Sequence, residues 1–211
     1  MSRWLGFSRS FLAAVFLASL SAFAVGAEPI ELFNGKDLTG WEGNLELWSV
    51  KDGALVGTSP GLKENHFLAT TEEYGDFELR FEVKLHVSEA NSGVQFRSQR
   101  LPDTTEMIGY QADIGKGWWG SLYDESRRRK ILAAADAAVI QKVLKEKDWN
   151  EYVIRAVGKH ITLSINGVNT IDYLEPDASL PAKGKIAVQV HSGGPFQVEF
   201  RKLKLTALTA E

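Results

Sequence analysis

The sequence predicts an all-β antiparallel sandwich with a single short helical excursion. Three observations carry that prediction. Apolar and polar residues alternate with period two over most of the chain. Turn residues recur every 8–12 positions, at the spacing of short paired strands. One segment alone, Ile131 to Lys147, shows a helical period.

The first 27 residues read as a processing signal. Arg3 and Arg9 form a basic start, and Phe11 to Val25 is an uncharged apolar run. Val25-Gly26-Ala27 offers small residues to a peptidase just before Glu28. The run is shorter than the roughly 20 apolar residues of a spanning helix. The expected mature chain, 28–211, is then a single domain, periplasmic or secreted, with no membrane attachment after cleavage.

Composition narrows the function. The chain has 24 basic and 27 acidic residues, and losing Arg3 and Arg9 takes the net charge from −3 to −5. Nucleic-acid binders carry a basic footprint, so none is expected here. No cysteine is present, which removes thiol nucleophiles, thiolate metal sites and disulfides.

The strands follow in order. Ala54 to Ser59 is a weak one. In Phe77 to Val87, Phe77, Leu79, Phe81, Val83, Leu85 and Val87 share one face, while Glu78, Arg80, Glu82, Lys84 and His86 share the other. Gly93 to Gln99 follows a Ser-Glu-Ala-Asn-Ser turn. A Phe77–Gln99 hairpin centred near Glu89-Ala90 would set Glu82 opposite Arg97 and Lys84 opposite Gln95. Ile108 to Gly115 turns Tyr110 and Ile114 inward. Within Ile131 to Lys147, Leu132, Ala135, Val139, Val143 and Leu144 share a helical face. Tyr152 to Gly158 and His160 to Asn166 flank a tight turn, and Asn166-Gly167 signals another. Lys185 to Gly193 and Phe196 to Thr206 read as a closing hairpin around Gly193-Gly194-Pro195.

The faces opposite the apolar sets carry functional groups: Gln95, Arg97 and Gln99; Gln111 and Asp113; Gln189 and His191. Amides, a carboxylate, a guanidinium and an imidazole on one sheet face suit a carbohydrate groove. The stretch GKGWWGSLYDESRRRK, Gly115 to Lys130, adds flat rings beside hydrogen-bonding groups. Trp118 and Trp119 can overhang the groove, with one of them meeting a sugar ring. Tyr123, Asp124, Glu125 and the arginines after it can bond hydroxyls.

Six segments in a fixed order resemble a known family: LFNGKDLTGW (Leu32–Trp41), YGDFEL (Tyr74–Leu79), NSGVQFR (Asn91–Arg97), GYQADI (Gly109–Ile114), DWNEYVIRAVGKHITLSINGV (Asp148–Val168) and GKIAVQVHSGGPFQVEFRKLKL (Gly184–Leu205). The chain is identified as a member of the 3-keto-disaccharide hydrolase domain family, from about Ile30 to Leu208. The resemblance implies a concanavalin A-like jelly-roll sandwich, export in bacteria, and cleavage of glycosides already oxidised to a ketone at C3. It implies a small saccharide substrate and an oxidoreductase acting upstream. It assigns no catalytic residue.

β-Glucanases of this fold class carry an E-x-D-x-x-E strand. The nearest match here, Glu73 to Glu78, has the wrong spacing, so ordinary two-carboxylate hydrolysis lacks its signature. A C3 ketone instead acidifies the C2 proton and allows the C1 substituent to leave by elimination. That chemistry needs a base, a donor at the C3 oxygen and a proton for the leaving group. His191 suits base or acid. Asp113 is the first carboxylate candidate and Glu82 a weaker one, and Arg97 could hold the C3 oxyanion. Asn91, Gln95, Gln111, Trp118, Trp119, Tyr123 and Gln189 are the substrate-binding candidates. His66, His86 and His160 read as surface or edge residues. There is no H-E-x-x-H, close histidine pair or EF-hand loop, so no cofactor is expected and a divalent metal stays open. Two alternatives use the same groove: a non-catalytic carbohydrate-binding module and a conventional glycosidase.

Overall fold

A computed structural model describes residues 28–209, together with Met1. The expected signal segment therefore lies outside the described residues, apart from Met1. The described strands are β1 (Ile30–Glu31), β2 (Trp41–Glu42), β3 (Trp48–Lys51), β4 (Ala54–Ser59), β5 (His66–Thr70), β6 (Phe77–Leu85), β7 (Asn91–Arg100), β8 (Met107–Gly115), β9 (Leu122–Glu125), β10 (Lys130–Ala133), β11 (Asn150–Val157), β12 (His160–Ile165), β13 (Val168–Leu174), β14 (Lys185–Val190) and β15 (Phe196–Ala207). The helix α1 spans Ala137–Val143.

The strands form two antiparallel sheets. One runs β13-β12-β11-β6-β15-β4-β3, with β1 added on β15; the other runs β10-β9-β8-β7-β14-β5-β2. Alternation decides which side chains meet between them. Phe77, Leu79, Phe81, Val83 and Leu85 of β6 are all buried, and they face Val94 and Phe96 of β7, Tyr110, Ala112 and Ile114 of β8, and Ile186, Val188 and Val190 of β14 in one core. Cross-strand partners stack within each sheet, Phe81 on Tyr152 at 5.4 Å and Phe96 on Tyr110 at 5.5 Å. Phe77 meets Phe96 edge-on across the sandwich at 6.3 Å. Such pairs add about 0.5–1.5 kcal/mol each beyond their burial. The result is the expected concanavalin A-like jelly-roll sandwich.

Two turns behave as read. β11 and β12 pair through Val157 and His160. Asn166 and Gly167 both take positive φ, 48° and 80°, which matches the twist of the β12–β13 hairpin.

Two expected hairpins are instead passages from one sheet to the other. β6 pairs β11 and β15, whereas β7 pairs β8 and β14. Glu82 therefore stands opposite Glu151 and Arg201, not Arg97, and Gln95 stands opposite Gln111 and Ala187. The Gly193-Gly194-Pro195 turn likewise carries the chain from β14 in one sheet to β15 in the other. Turn residues mark where a chain reverses, and they do not say whether the next strand pairs beside the last or packs across from it.

The helix is shorter than its period suggests. Asp136 caps it by accepting from the N–H groups of Ala138 and Val139. The preceding residues, Lys130 to Ala133, join β9 as an edge strand. Ile140, Val143 and Leu144 pack partly buried against the core.

Candidate active site

The second sheet has a face turned away from the core, and register places the polar residues on it. Gly93 stands opposite Asp113, and Val188 opposite Val94, which sets Gln189, Gly93 and Asp113 side by side across three strands. In the next row Ala187, Gln95, Gln111 and Tyr123 are successive partners. Gly93 is required there: a Cβ would come within 2.5 Å of the Gln111 side chain.

Hydrogen bonds link these groups in one direction. Ser98 Oγ donates to Gln95 Oε1 at 2.5 Å, Gln95 Nε2 donates to Gln111 Oε1 at 3.0 Å, and Gln111 Nε2 donates to Asp113 Oδ1 at 2.9 Å. The relay ends on a carboxyl that is only 2% exposed. Asp113 Oδ2, both amide atoms of Gln189 and Oδ1 of Asn91 are buried and make no hydrogen bond within the protein. Each such group costs about 1–3 kcal/mol, and several together at one place mark a binding site.

Asn91 and Asp113 line a pocket of about 150 Å³ together with Asn65, Gln111, Trp118, Tyr123, Glu125 and His191; Gln189, expected to bind substrate, is wholly buried beside Gly93 and is not among the lining residues. His191 follows β14 directly. Its Nδ1 lies 2.7 Å from the Ser192 carbonyl and donates to it, which leaves the Nε2 lone pair free in the neutral ring. The turn is anchored by Ser192 N–H donating to Asn65 Oδ1 at 2.9 Å and by the Leu62–Gly193 bridge. Trp118, 38% exposed, meets Tyr123 edge-on at 6.2 Å and forms one wall.

Burial sets the electrostatics. Loss of water raises the Asp113 pKa to about 8 and outweighs the Gln111 hydrogen bond; the Glu125 charge adds to the rise. Burial, then the neighbouring Glu106, raises Glu125 to about 7. Glu106 is itself raised, first by burial. Three carboxyls thus crowd one region, and at neutral pH Asp113 holds its proton. Among the described residues no group of three or more His, Asp or Glu side chains is arranged to hold a metal ion.

A stability test follows. Burial raises the Asp113 pKa in the folded chain to about 8, whereas in the unfolded chain the carboxyl ionises near its ordinary 3.8. Folding takes up a proton between those values, so stability falls as pH rises through that window, by up to about 1.4 kcal/mol per unit. Asp113→Asn mimics the neutral acid. It is expected to flatten this slope and to raise stability at pH 8 in urea unfolding. An unchanged slope would mean that Asp113 is ionised in the fold.

Several sequence candidates lie elsewhere. Arg97 sits in a β-bulge with φ of 48° and turns away from the pocket; its guanidinium pairs with Asp76 at 2.6 Å and donates to the Gly75 and Gly158 carbonyls. The bulge breaks the alternation that put Arg97 on the same face as Gln95. Glu82 belongs to the other sheet, where it pairs with Arg201 at 2.5 Å and Lys202 at 2.7 Å. Trp119 is buried in the core behind the loop, so Trp118 alone of the two lines the pocket. Gln95 reaches the pocket only through Gln111. Of the arginines after Ser126, Arg127 and Arg128 are committed to Asp124, and Arg128 also to Glu175.

The sequence reading gave Glu125 no catalytic weight. Alternation within LYDE, Leu122 to Glu125, could have found it, since Glu125 shares a face with Tyr123 and hence with Gln111. Asn65 and Glu106 stand on loops, and no pattern points to them.

The fold resembles those of several solved structures. A candidate glycosyl hydrolase from Parabacteroides distasonis superposes with a TM-score of 0.65 at 19% identity, over 85% of this chain and 94% of that one. A Bacillus subtilis protein of unknown function with a galectin-like fold gives 0.66 at 13% identity, over 87% and 96%. A carbohydrate-binding module from Bacillus subtilis gives 0.61 at 14%, over 80% and 96%. At these identities the likeness is one of fold. No curated protein matches the sequence significantly. Residues 28–206 match the 3-keto-alpha-glucoside-1,2-lyase-like domain family, and the chain belongs to that family.

Proposed function

We propose that this protein cleaves the glycosidic bond of 3-keto glycosides by removing the C2 proton and eliminating across C1 and C2. One observation carries the reading: a buried Asp113 carboxyl with an oxygen that has no protein partner lines the same pocket as a histidine whose tautomer is set by a carbonyl.

His191 Nε2 takes the C2 proton, and the C–H electrons form an enolate with the C3 carbonyl. Protonated Asp113 donates a hydrogen bond to the C3 oxygen, where charge develops, in a site sheltered from water. An acid kept neutral at pH 7 is suited to this. The enolate collapses, the C1–C2 double bond forms and the C1–O bond breaks. Glu125, with a pKa of about 7, supplies the proton to the departing oxygen. Water adding later across the double bond would convert elimination into net hydrolysis. Trp118 offers a flat face to the ring, and Asn91 and Gln111 offer amides to its hydroxyls.

The ketone must come from a prior oxidation of the sugar at C3, so the proposal includes an oxidoreductase acting upstream. It also includes export on the 1–27 segment and action in the periplasm or outside the cell. A binding module without chemistry would use the same wall of Trp118 and amides, and nothing in such a role calls for a sheltered, protonated carboxyl.

The test compares a 3-keto glycoside with its parent. Turnover is expected for the keto sugar alone, because the parent C2 proton is far too weakly acidic for a side chain to remove. In deuterated water, elimination followed by hydration places deuterium at C2 of the product. Equal rates on both sugars would overturn the substrate reading, and full retention of the C2 hydrogen would overturn the mechanism. Tight binding of sugar with no turnover would favour the binding module.

A further inference from the structure

A second pocket adjoins the first and shares two of its residues, Asn91 and His191. It measures about 350 Å³ and runs along the passage from β14 to β15. Its character differs from that of the polar pocket. Val87, Ala90, Pro195 and Phe196 supply apolar walls, and Gly193 and Gly194 supply backbone. Val87 is 41% exposed, a large aliphatic side chain held at the rim of a depression. Glu89 reaches outward to pair with Lys116 at 2.6 Å.

His191 stands between the two spaces. Asn91 and His191 line both spaces, so a ring in the polar pocket whose C2 hydrogen meets His191 has room to direct its C1 substituent into the adjoining one, with the C1 oxygen at the boundary. The adjoining pocket is then the place of the leaving group. A second sugar there would bring a hydroxyl on almost every ring carbon against mostly apolar walls, whose polar side chains are Ser192 and the shared Asn91 and His191, with Glu89 turned to Lys116. A hydroxyl stripped of water without a new partner is destabilising. An alkyl or aryl group has no such hydrogen bonds to lose and gains from covering apolar surface. Space is sufficient, since a cavity of ~150 Å³ already holds a benzene ring.

We infer that the pocket bordered by His191, Val87 and Phe196 receives an apolar aglycone, so that the preferred substrates are 3-keto glycosides of alkyl or aryl alcohols and not 3-keto disaccharides. This rests on the proposed reaction and narrows its substrate class.

The test compares 3-keto cyclohexyl glucoside with 3-keto trehalose. Cyclohexanol is a poorer leaving group than a sugar hydroxyl, so intrinsic reactivity works against the expected result. Even so, kcat/KM is expected to favour the cyclohexyl glycoside at least tenfold, in line with the 10- to 200-fold range for hydrophobic pockets. Val87→Asp, on an exposed turn after β6, is expected to reduce that preference about tenfold. Equal or better use of the disaccharide, or a preference untouched by Val87→Asp, would overturn the inference while leaving the reaction standing. Failure of both keto substrates would overturn the reaction and this inference together.

Discussion

Replacing His191 by alanine is expected to lower kcat on a 3-keto glycoside by about 10²–10⁴, the usual contribution of a general base. The imidazole is held in the required form by its surroundings: Nδ1 is committed to the Ser192 carbonyl, which leaves Nε2 to accept the proton. The loss should be catalytic and not structural. His191 lies on a turn, is partly exposed, and hydrogen-bonds only to Ser192. The turn keeps its own anchors at Asn65 and Leu62. Thermal unfolding of the variant should therefore stay close to that of the parent, since surface substitutions of this kind usually shift stability by within about 0.5 kcal/mol. Single-turnover kinetics beside a melting curve would check both halves. Activity within threefold of the parent would remove His191 from the mechanism.

Arg97→Ala is expected to do the reverse. The Arg97 side chain is 3% exposed and its guanidinium is bound on three sides, by Asp76, Gly75 and Gly158. Those contacts tie β7 in one sheet to the segment before β6 and to the β11–β12 turn in the other. Asp76 also accepts from the Gly158 N–H, so the carboxylate is shared between the partners. Removing one member of a buried pair typically costs about 3–5 kcal/mol; here Asp76 is 20% exposed, so the lower end of that range is expected, with the uncapped Gly75 and Gly158 carbonyls adding to it. Urea unfolding should register a loss of that order. Turnover per folded molecule should be nearly unchanged, whereas a residue holding the C3 oxyanion would lose rate with its fold intact. A variant of normal stability with a thousandfold lower kcat would return Arg97 to the catalytic list.

How much of this was legible in the sequence depends on what each signal encodes. Alternation encodes a face. It correctly grouped Gln111 with Asp113, and Phe77 with Leu79 and Phe81, because a pleated strand has no other freedom. Alternation fails at a bulge, and Arg97 stands in one. Turn residues encode a reversal but no partner, so both sheet-to-sheet passages looked like hairpins and Glu82 was drawn toward a site on the other sheet. The paired tryptophans had to face opposite ways, but only packing decided that Trp119 is the buried one. Asn65 and Glu106 reach the site region from loops whose path is set by the folded whole. A candidate site on the second sheet was therefore readable where strands build it, at Gln111, Asp113 and Tyr123, and unreadable where loops complete it.

The relay from Ser98 through Gln95 and Gln111 has a polarity. The hydroxyl of Ser98 donates into Gln95 Oε1, which turns the Gln95 amide nitrogen toward Gln111; that amide is oriented in the same sense and delivers its own N–H to Asp113 Oδ1. Reversing Gln95 alone would set acceptor against acceptor, and reversing Gln111 alone would set donor against donor, so the two amides share one sense. An oxygen that receives an N–H of this kind is a poor seat for a proton. The acidic hydrogen of Asp113 is thereby confined to Oδ2, the oxygen without a protein partner. A serine on the strand next to that of Asp113 thus helps determine which oxygen of the acid is able to donate a hydrogen bond.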